Sequence, residues 1–351
     1  MSGTQHTTNS ESSRPVHGPG PRVRSAAVAA GILAAVVCDA ADAPDPLYLR
    51  NANPLLQTLG APAMQGGELT PDGTLAQRWV LNVANHADAS VTSAEEVVLD
   101  GESYFLELSL RYGLGSKLEL GVDLPLVAHV EGVLDPLIEG WHGLVGLSNH
   151  ERSGPQNVLR LFYQRNDVTG FDVDDAGTGL GDVRLTAACS LAESDGRALA
   201  MRAQVELPTG DAEYLRGNGA VDLSLVLDAT DRRTFADWRT SLFGRIGLVA
   251  PGDGDILSEL QKDWVPLISA GLAWQWTERT SLQAQVDFEG DYFETQLTQL
   301  GSSTRLTVGG SHQFGEGGPR LSIAMIEDLV SDATPDFGLY FSLTMHSGPS
   351  P

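Results

Sequence analysis

The residues able to do chemistry sit singly, at alternate positions, inside stretches that are otherwise apolar. Arg111, Glu119, Asp123, Arg184, Arg202 and Glu206 are the clearest cases, and charges of both signs recur downstream in the same way. Charges of opposite sign that share one face of a sheet can pair with their neighbours. Lining a wet interior, such pairs narrow a passage and set its selectivity. On an outer face the same charges would simply meet water. What the other face touches therefore decides the reading.

Other constellations are weaker. The run DVDDAGTGLGD (Asp172 to Asp182) alternates carboxylates with glycines, but Ala176 occupies one ligand position of a calcium loop and no closing Glu follows. PTGDAEYLRGNG (Pro208 to Gly219) lacks the Lys-Ser/Thr ending of a phosphate loop and reads as a long external loop. His129, His142 and His150 cluster in sequence, yet neither HExxH nor paired Cys is present, so no metal is predicted. No GxSxG elbow occurs. His312 with Ser311 or Ser322 is the one serine–histidine pairing to pose, and adjacent strand residues point to opposite faces, which removes Ser311. No catalytic residue and no cofactor is predicted, and the chain is read as a non-enzyme.

The elements that must position these charges are strands. In YFLELSLRYGLGSKLELGVDLPL (Tyr104 to Leu126), Tyr104, Leu106, Leu108, Leu110 and Tyr112 share one face with Leu118, Leu120, Val122 and Leu124. Glu107, Ser109, Arg111, Glu119 and Asp123 share the other, around a break at Gly113–Lys117. Period two on both sides of a short break predicts a hairpin. The same reading gives thirteen strands, near 78–84, 103–112, 117–127, 158–165, 181–191, 197–207, 220–228, 238–250, 264–276, 280–290, 302–314, 320–327 and 337–345. Short and long connections largely alternate, as expected of a transmembrane barrel with tight periplasmic turns and longer external loops. The alternation fails once, between residues 127 and 181. A bacterial barrel with both termini on one side needs an even count, so twelve or fourteen strands are expected, with 158–165 outside the wall or a strand overlooked near 166–175.

A soluble sandwich would also show one apolar face per strand. Strands of about ten residues suit a bilayer when tilted. Tryptophans 79, 238, 264, 274 and 276 fall near strand ends, where aromatic girdles form at both rims of a membrane barrel. The prediction is an all-β, transmembrane antiparallel β-barrel of 12 (or 14) strands, apolar face outward and charged face inward. A closed sheet is obligatory in hydrocarbon, because each unpaired backbone group there costs several kcal/mol.

One segment breaks the period. In VLDPLIEGWHGLVGL, apolar residues from Leu134 to Val145 recur at helical spacing after Asp135-Pro136. A short helical insertion is expected there, packed on a barrel rim or acting as a plug or gate through Asp135, Trp141 and His142. Asn51, Asn53 and Pro54, in an Asn/Pro cluster before the first strand, are the other plug or gate candidates.

The 351 residues carry a net charge of −24 with a pI near 4.5, which argues against nucleic acid. Arg22 and Arg24 precede SAAVAAGILAAVVC and then DAADA, the basic flank, short apolar core and small-residue exit of a signal peptide. The expected organisation is a signal peptide and N-terminal extension at 1–43 and a periplasmic or lumenal segment at 44–76. A barrel at 77–346 and a tail at 347–351 follow. Export then leads to the outer membrane of a Gram-negative bacterium, with membrane lipid, the barrel assembly machinery and a small solute as partners, in a monomer. The assembly machinery would read Tyr340 or Phe341, since the chain closes on FGLYFSLTMHSGPSP rather than on an aromatic.

LRNANPLLQTLGAP (Leu49–Pro62), LRYGLGSKLELGVDLPLVAHVEGVLDPLIEGWHGLVGL (Leu110–Leu147), GLGDVRL (Gly179–Leu185) and ELPTGD (Glu206–Asp211) together resemble the uncharacterised family called domain of unknown function 3187. GLGD and LPTGD are similar to a wider set of outer-membrane barrels, including a family labelled as transporters encoded near phenol-degradation and meta-pathway operons. The resemblance implies an outer-membrane barrel and brings no ligand or catalytic residue with it. The expected role is porin-like passage or binding of a small solute. A closed structural barrel is the alternative, and a lipid-modifying enzyme at a rim a third.

Overall fold

The structure, a computed structural model, describes residues 44–132, 158–329, 333–335 and 337–347. Among them lie fifteen strands. The first six are β1 (Leu75–Val91), β2 (Glu95–Leu114), β3 (Leu118–Val130), β4 (Arg160–Arg165), β5 (Val168–Val173) and β6 (Gly177–Leu180). The next five are β7 (Val183–Ser194), β8 (Arg197–Leu207), β9 (Asp222–Phe235), β10 (Thr240–Ala250) and β11 (Val265–Gln275). β12 (Thr280–Glu289), β13 (Ser303–Gln313), β14 (Arg320–Asp328) and β15 (Phe337–Ser347) complete the set.

Twelve of them form the wall. Each of β7 to β15 pairs with its neighbour in sequence, β3 pairs with β7, β2 with β3, and β1 with both β2 and β15, every ladder antiparallel. The β1–β15 ladder runs from Leu75↔Ser347 to Asn85↔Phe337 and closes the cylinder. The anomaly between residues 127 and 181 resolves as a rim feature. β4 and β5 are a hairpin stacked on the end of β2, from Glu95 to Asp100, beyond the point where β3 leaves it. Segment 158–165 is thus outside the wall, and β5 is the overlooked strand. β6 continues the line of β7 along β3 after a break at Gly181-Asp182. The expected helical insertion, with Asp135, Trp141 and His142, lies outside the described residues, as does the segment 1–43.

The apolar face points outward. Leu120, Leu185, Leu225, Ile246, Ile268 and Ile323, from six different strands, are each about half exposed. Their strand neighbours Glu119, Arg184, Ser224, Arg245, Leu267 and Ser322 are buried. A solvated protein does not expose a continuous band of this size, and a lipid-facing barrel does. No helix of the described residues is long and apolar enough to cross a membrane. Both ends of the wall, Leu75 and Ser347, lie at the rim of the short turns, which is the periplasmic rim of such barrels. Exposed aromatics gather at this rim: Trp79, Tyr112, Phe235, Trp238, Trp274, Trp276 and Phe314. Of the five strand-end tryptophans only Trp264 stands at the opposite rim, so the girdle is lopsided rather than doubled.

Ile246 sits at mid-height on the outer face, opposite Leu227 and Ile268. Ile246→Arg is expected to lower folding stability in phospholipid vesicles by about 2–4 kcal/mol, the cost of a midplane arginine on a lipid face. Equilibrium urea titration checks this, and a loss well under 1 kcal/mol would place Ile246 away from hydrocarbon.

Candidate functional site

The interior of the cylinder is built first by the wall itself. Arg111 on β2 forms a two-pronged pair with Asp123 on β3, at 2.8 and 3.0 Å. Gly121 leaves room for it, because a Cβ there would fall 2.6 Å from the guanidinium. Arg184 on β7 pairs with Glu107 on β2 and lies 3.9 Å from Asp123. Arg202 on β8 reaches Asp228 on β9 at 2.8 Å and Glu119 on β3 at 3.7 Å. Asp228 also receives Arg245 of β10 at 2.8 Å. Across the barrel, Arg305 of β13 pairs with Glu289 of β12 at 2.8 Å. The structure therefore brings Arg111, Glu119, Asp123, Arg184 and Arg202 into one buried belt. Glu206, also buried, meets Arg50 of the N-terminal segment at 3.5 Å.

That segment fills what the belt encloses. The backbone of residues 44–70 bonds side chains of β3, β8, β9, β10, β12 and β15, and only a chain inside the cylinder can touch all of these. Leu47 donates its N–H to Gln285 on β12 at 3.1 Å, and Tyr48 to the hydroxyl of Tyr340 on β15 at 3.3 Å. Arg111 donates to the Tyr48 hydroxyl at 2.9 Å, and Arg78 stacks over its ring at 4.7 Å. The chain turns at the loop rim. Asn51 donates to Ser303 at 3.2 Å, Asn53 caps the turn through Leu55 N–H at 2.9 Å, and Pro54 is buried beside it. Arg50 staples the two legs by donating to the carbonyls of Ala61 and Gln57. On the way back, the carbonyls of Pro62, Ala63, Gly66 and Glu68 accept from Arg245 and Arg202, and Gly67 N–H donates to Thr230 at 2.9 Å. Thr70 gives Glu119 two bonds of 2.7 Å.

The two ends of the segment are held differently. At the tip, Leu55, Leu56 and Leu59 enter an apolar cluster with Tyr163, Phe171, Leu215, Tyr292, Phe293 and Leu300, contributed by the external loops and β4–β5. At the foot, Asp45 lies 3.6–4.0 Å from Arg320, Arg232 and Arg78. Burial opposes a charge on Asp45, yet those three guanidiniums outweigh it and hold the carboxyl below its ordinary 3.8. Between foot and tip the fit is incomplete. A cavity of about 30 Å³ lies among Tyr48, Arg50, Asn51, Val80, Phe105 and Glu107. Buried polar atoms without a protein partner line the interior, including Asn82 Oδ1, Glu107 Oε1, Thr186 Oγ1 and Thr307 Oγ1. Polar groups in this condition are sites for water.

The sequence left Ser322 as the serine that could be posed with His312, and the register excludes it. Ser322 lies opposite Ser311 and so shares its face, while His312 accepts from or donates to Thr280 at 2.9 Å. The close serine–histidine pair is Ser103–His129, at 2.8 Å, with the other ring nitrogen 3.3 Å from the Leu215 carbonyl. Both side chains are buried and no carboxylate orients the ring, so the pair is a structural bond rather than a triad. It was findable: about the turn Leu114–Leu118 the paired residue numbers sum to 232, which sets Ser103 against His129. The acidic run 172–182 is divided between β5, a turn and β6, with Asp172 paired to Arg160 at 2.7 Å. Among the described residues no three His, Cys, Asp or Glu converge as a metal site.

The family described as "Protein of unknown function (DUF3187)" matches residues 24–346. No curated protein matches the chain. Among solved structures, the COG4313 outer membrane channel from Pseudomonas putida F1 superposes with a TM-score of 0.54 at 16% identity, covering 80% of this chain and 97% of that one. The NanC porin scores 0.41 at 8% identity, covering 79% and 100%, and the P. putida toluene transporter TodX scores 0.34 at 15%, covering 80% and 91%.

Two measurements test the interior. Asp228→Asn leaves Arg202 and Arg245 short of their shared counter-charge and is expected to cost about 3–5 kcal/mol, the scale for breaking a buried pair on one side; the midpoint of heat-modifiable gel migration in urea reads it. Because the folded state depresses Asp45, its contribution is complete above the ordinary carboxylate value and is lost as pH falls through the lower folded one. The difference in unfolding midpoint between the parent and Asp45→Asn should not fall between neutral pH and about pH 5, where charging of the nearby His346 only adds to it, and should shrink below 3.8. A difference that shrinks nearer neutrality would contradict the pairing of Asp45 with the three guanidiniums.

Proposed function

The chain belongs to the DUF3187 family of proteins of unknown function, and we propose that it is an outer-membrane channel for a small solute, kept shut by its own N-terminal segment. The observation that carries this reading is that the arginines deep in the lumen pair within the wall, while the guanidiniums that face the segment's Asp45 lie at its foot. The guanidiniums of Arg111, Arg184, Arg202, Arg245 and Arg305 each find a carboxylate on another strand, without help from the segment. A permanently filled core gains little from such pairs, since well-packed apolar residues of similar volume are often as stable or more so. A lumen that takes up water when its stopper moves needs them, because they remain satisfied and solvated after it leaves.

The stopper is attached in a manner that permits this. Apart from the single bridge Asp72↔Gly113, residues 44–74 form no ladder with the wall, and much of their backbone bonds wall side chains. Bonds of that kind exchange for water at a net cost of about 1 kcal/mol each. In this reading Arg111, Glu119, Asp123, Arg184, Arg202 and Glu206 set the selectivity of the passage, Asn51, Asn53 and Pro54 form the turn of the stopper, and the protein performs no catalysis. The solute partner is small, and the protein works as a monomer placed by the barrel assembly machinery. One observation favours a closed barrel instead: the leucines at the tip lie in a buried apolar cluster, which resists withdrawal.

A reversible lock separates the two. With Cys38 and Cys189 replaced by Ser, the pair Asn51→Cys and Ser303→Cys joins side chains that are 3.2 Å apart in the parent. Planar-bilayer recordings of the reduced protein should show discrete openings, oxidation should abolish them, and reductant should restore them. Silence in both states would establish the closed barrel.

A further inference from the structure

We propose that the cavity at the loop rim is a binding site for a small zwitterion, a solute carrying both a carboxylate and an ammonium group. This rests on the channel reading and names the class of solute the channel would take. The cavity, of about 980 Å³, opens where the unpaired edge of β5 faces the 208–219 loop, beside β6. Its volume suits a small molecule. Phe171 and Ile256 give it a buried apolar floor; its cation is Arg216, and its carboxylates are Asp172, already paired with Arg160, and the exposed Asp211, Glu213 and Asp255.

Arg216 is unlike the arginines of the lumen. Among the described residues no carboxylate lies in ion-pair range of it, whereas Arg111, Arg184, Arg202, Arg245 and Arg305 each have one. Its guanidinium is nevertheless fixed. The Tyr214 ring stacks on it at 4.6 Å, and its terminal nitrogens lie against the backbone of β6. A Cβ on Gly177 or Gly179 would come within 2.9 or 2.3 Å of them, so the two glycines make the slot. Nε is buried and has no hydrogen-bond partner. A guanidinium held in place with its donors unused is a receptor for a planar anion such as a carboxylate.

The surroundings refine the class. A simple anion entering the cavity meets the repulsion of Glu213 and Asp255, both exposed and within the same concavity. A simple cation is met by the carboxylates but leaves the Arg216 guanidinium without a counter-charge. A molecule with both charges satisfies each side and crosses the mouth with no net charge. Its aliphatic part can then lie over Phe171 and Ile256, while bidentate pairing with Arg216 sets its direction.

The test uses the full-length protein in detergent and isothermal titration with glycine, 4-aminobutyrate and 6-aminohexanoate, against butyrate and butylamine as single-charge controls. At least one of the three amino acids should bind saturably, about tenfold or more tighter than either control. Arg216→Gln should weaken that binding at least about tenfold with heat-modifiable migration unchanged, and Arg216→Lys should restore part of it. Asp255→Asn, which leaves Arg216 in place, should narrow the preference for the amino acid over butyrate. Butyrate binding as tightly as every amino acid, no saturable binding, or an Arg216→Gln protein that binds like the parent would overturn the proposal. Saturable binding together with silent bilayer recordings would keep the site and remove the channel; openings without binding would do the reverse.

Discussion

Inside hydrocarbon a peptide group that loses its partner has no water to turn to, and the β1–β15 seam is where this chain meets that constraint. Eleven consecutive residue pairs join the first wall strand to the last, separated by more than 250 residues of sequence. Closure removes every lipid-facing edge, and it also fixes the sidedness of every strand. Once Leu225 and Ile246 face lipid, Ser224 and Arg245 must face inward, because side chains alternate. The polar interior is thus a consequence of closure rather than a separate property. What remained open was how those inward charges would be satisfied.

The belt from β2 to β10 answers with pairs between neighbouring and next-but-one strands, and the N-terminal segment answers with a backbone that uses the same side chains a second time. Arg202 illustrates the double use: it holds Asp228 and Glu119 in the wall and also donates to the Gly66 and Glu68 carbonyls. Arg245 does likewise with Asp228 and the Pro62 and Ala63 carbonyls. Donors on a guanidinium are numerous enough for both tasks. The stopper therefore adds bonds without disrupting the pairs beneath it. This makes a filled state and a hydrated state of the same wall comparable in their electrostatics.

Much of this was legible in the sequence, for a local reason. Alternation over ten residues and a short break between two alternating runs fix a hairpin, its register and its faces together. Segment 197–207 coincides with β8, and the turn at Leu114–Leu118 sets Arg111 near Asp123 without any structure. The departures are equally physical. β4 and β5 are six residues each, too short for the period to separate them from a polar loop. The partners of residues 44–70 lie up to about 290 positions away, at Tyr340 for Tyr48, and no periodicity encodes such contacts. The lopsided girdle escaped because strand ends were visible, but not which rim each end would reach.

Three of the four stretches by which this chain resembles its family fall on parts that shape the interior and the rim, and the fourth, Leu110–Leu147, takes in the β2–β3 hairpin of the wall. LRNANPLLQTLGAP is the ascending leg, turn and start of the descending leg of the stopper. GLGD and PTGD, far apart in sequence, meet as one clamp: Asp182 accepts from Gly210 N–H at 2.7 Å and from Asn218 N–H at 3.1 Å. Thr209 completes it by donating to the Gly181 carbonyl and accepting from Val183 N–H. A Cβ at Gly217 would collide with the Asp182 carboxylate at about 2.3 Å, so the loop must carry glycine there to close on it. The clamp pins the 208–219 loop over the interruption at Gly181-Asp182, and in doing so it presents Arg216 to the rim cavity and the Leu215 carbonyl to Gln57 of the stopper. A lipid-facing position is met by any apolar side chain, whereas a clamp that joins rim, cavity and stopper tolerates few. LRNANPLLQTLGAP, GLGD and PTGD accordingly mark where the chain controls its interior.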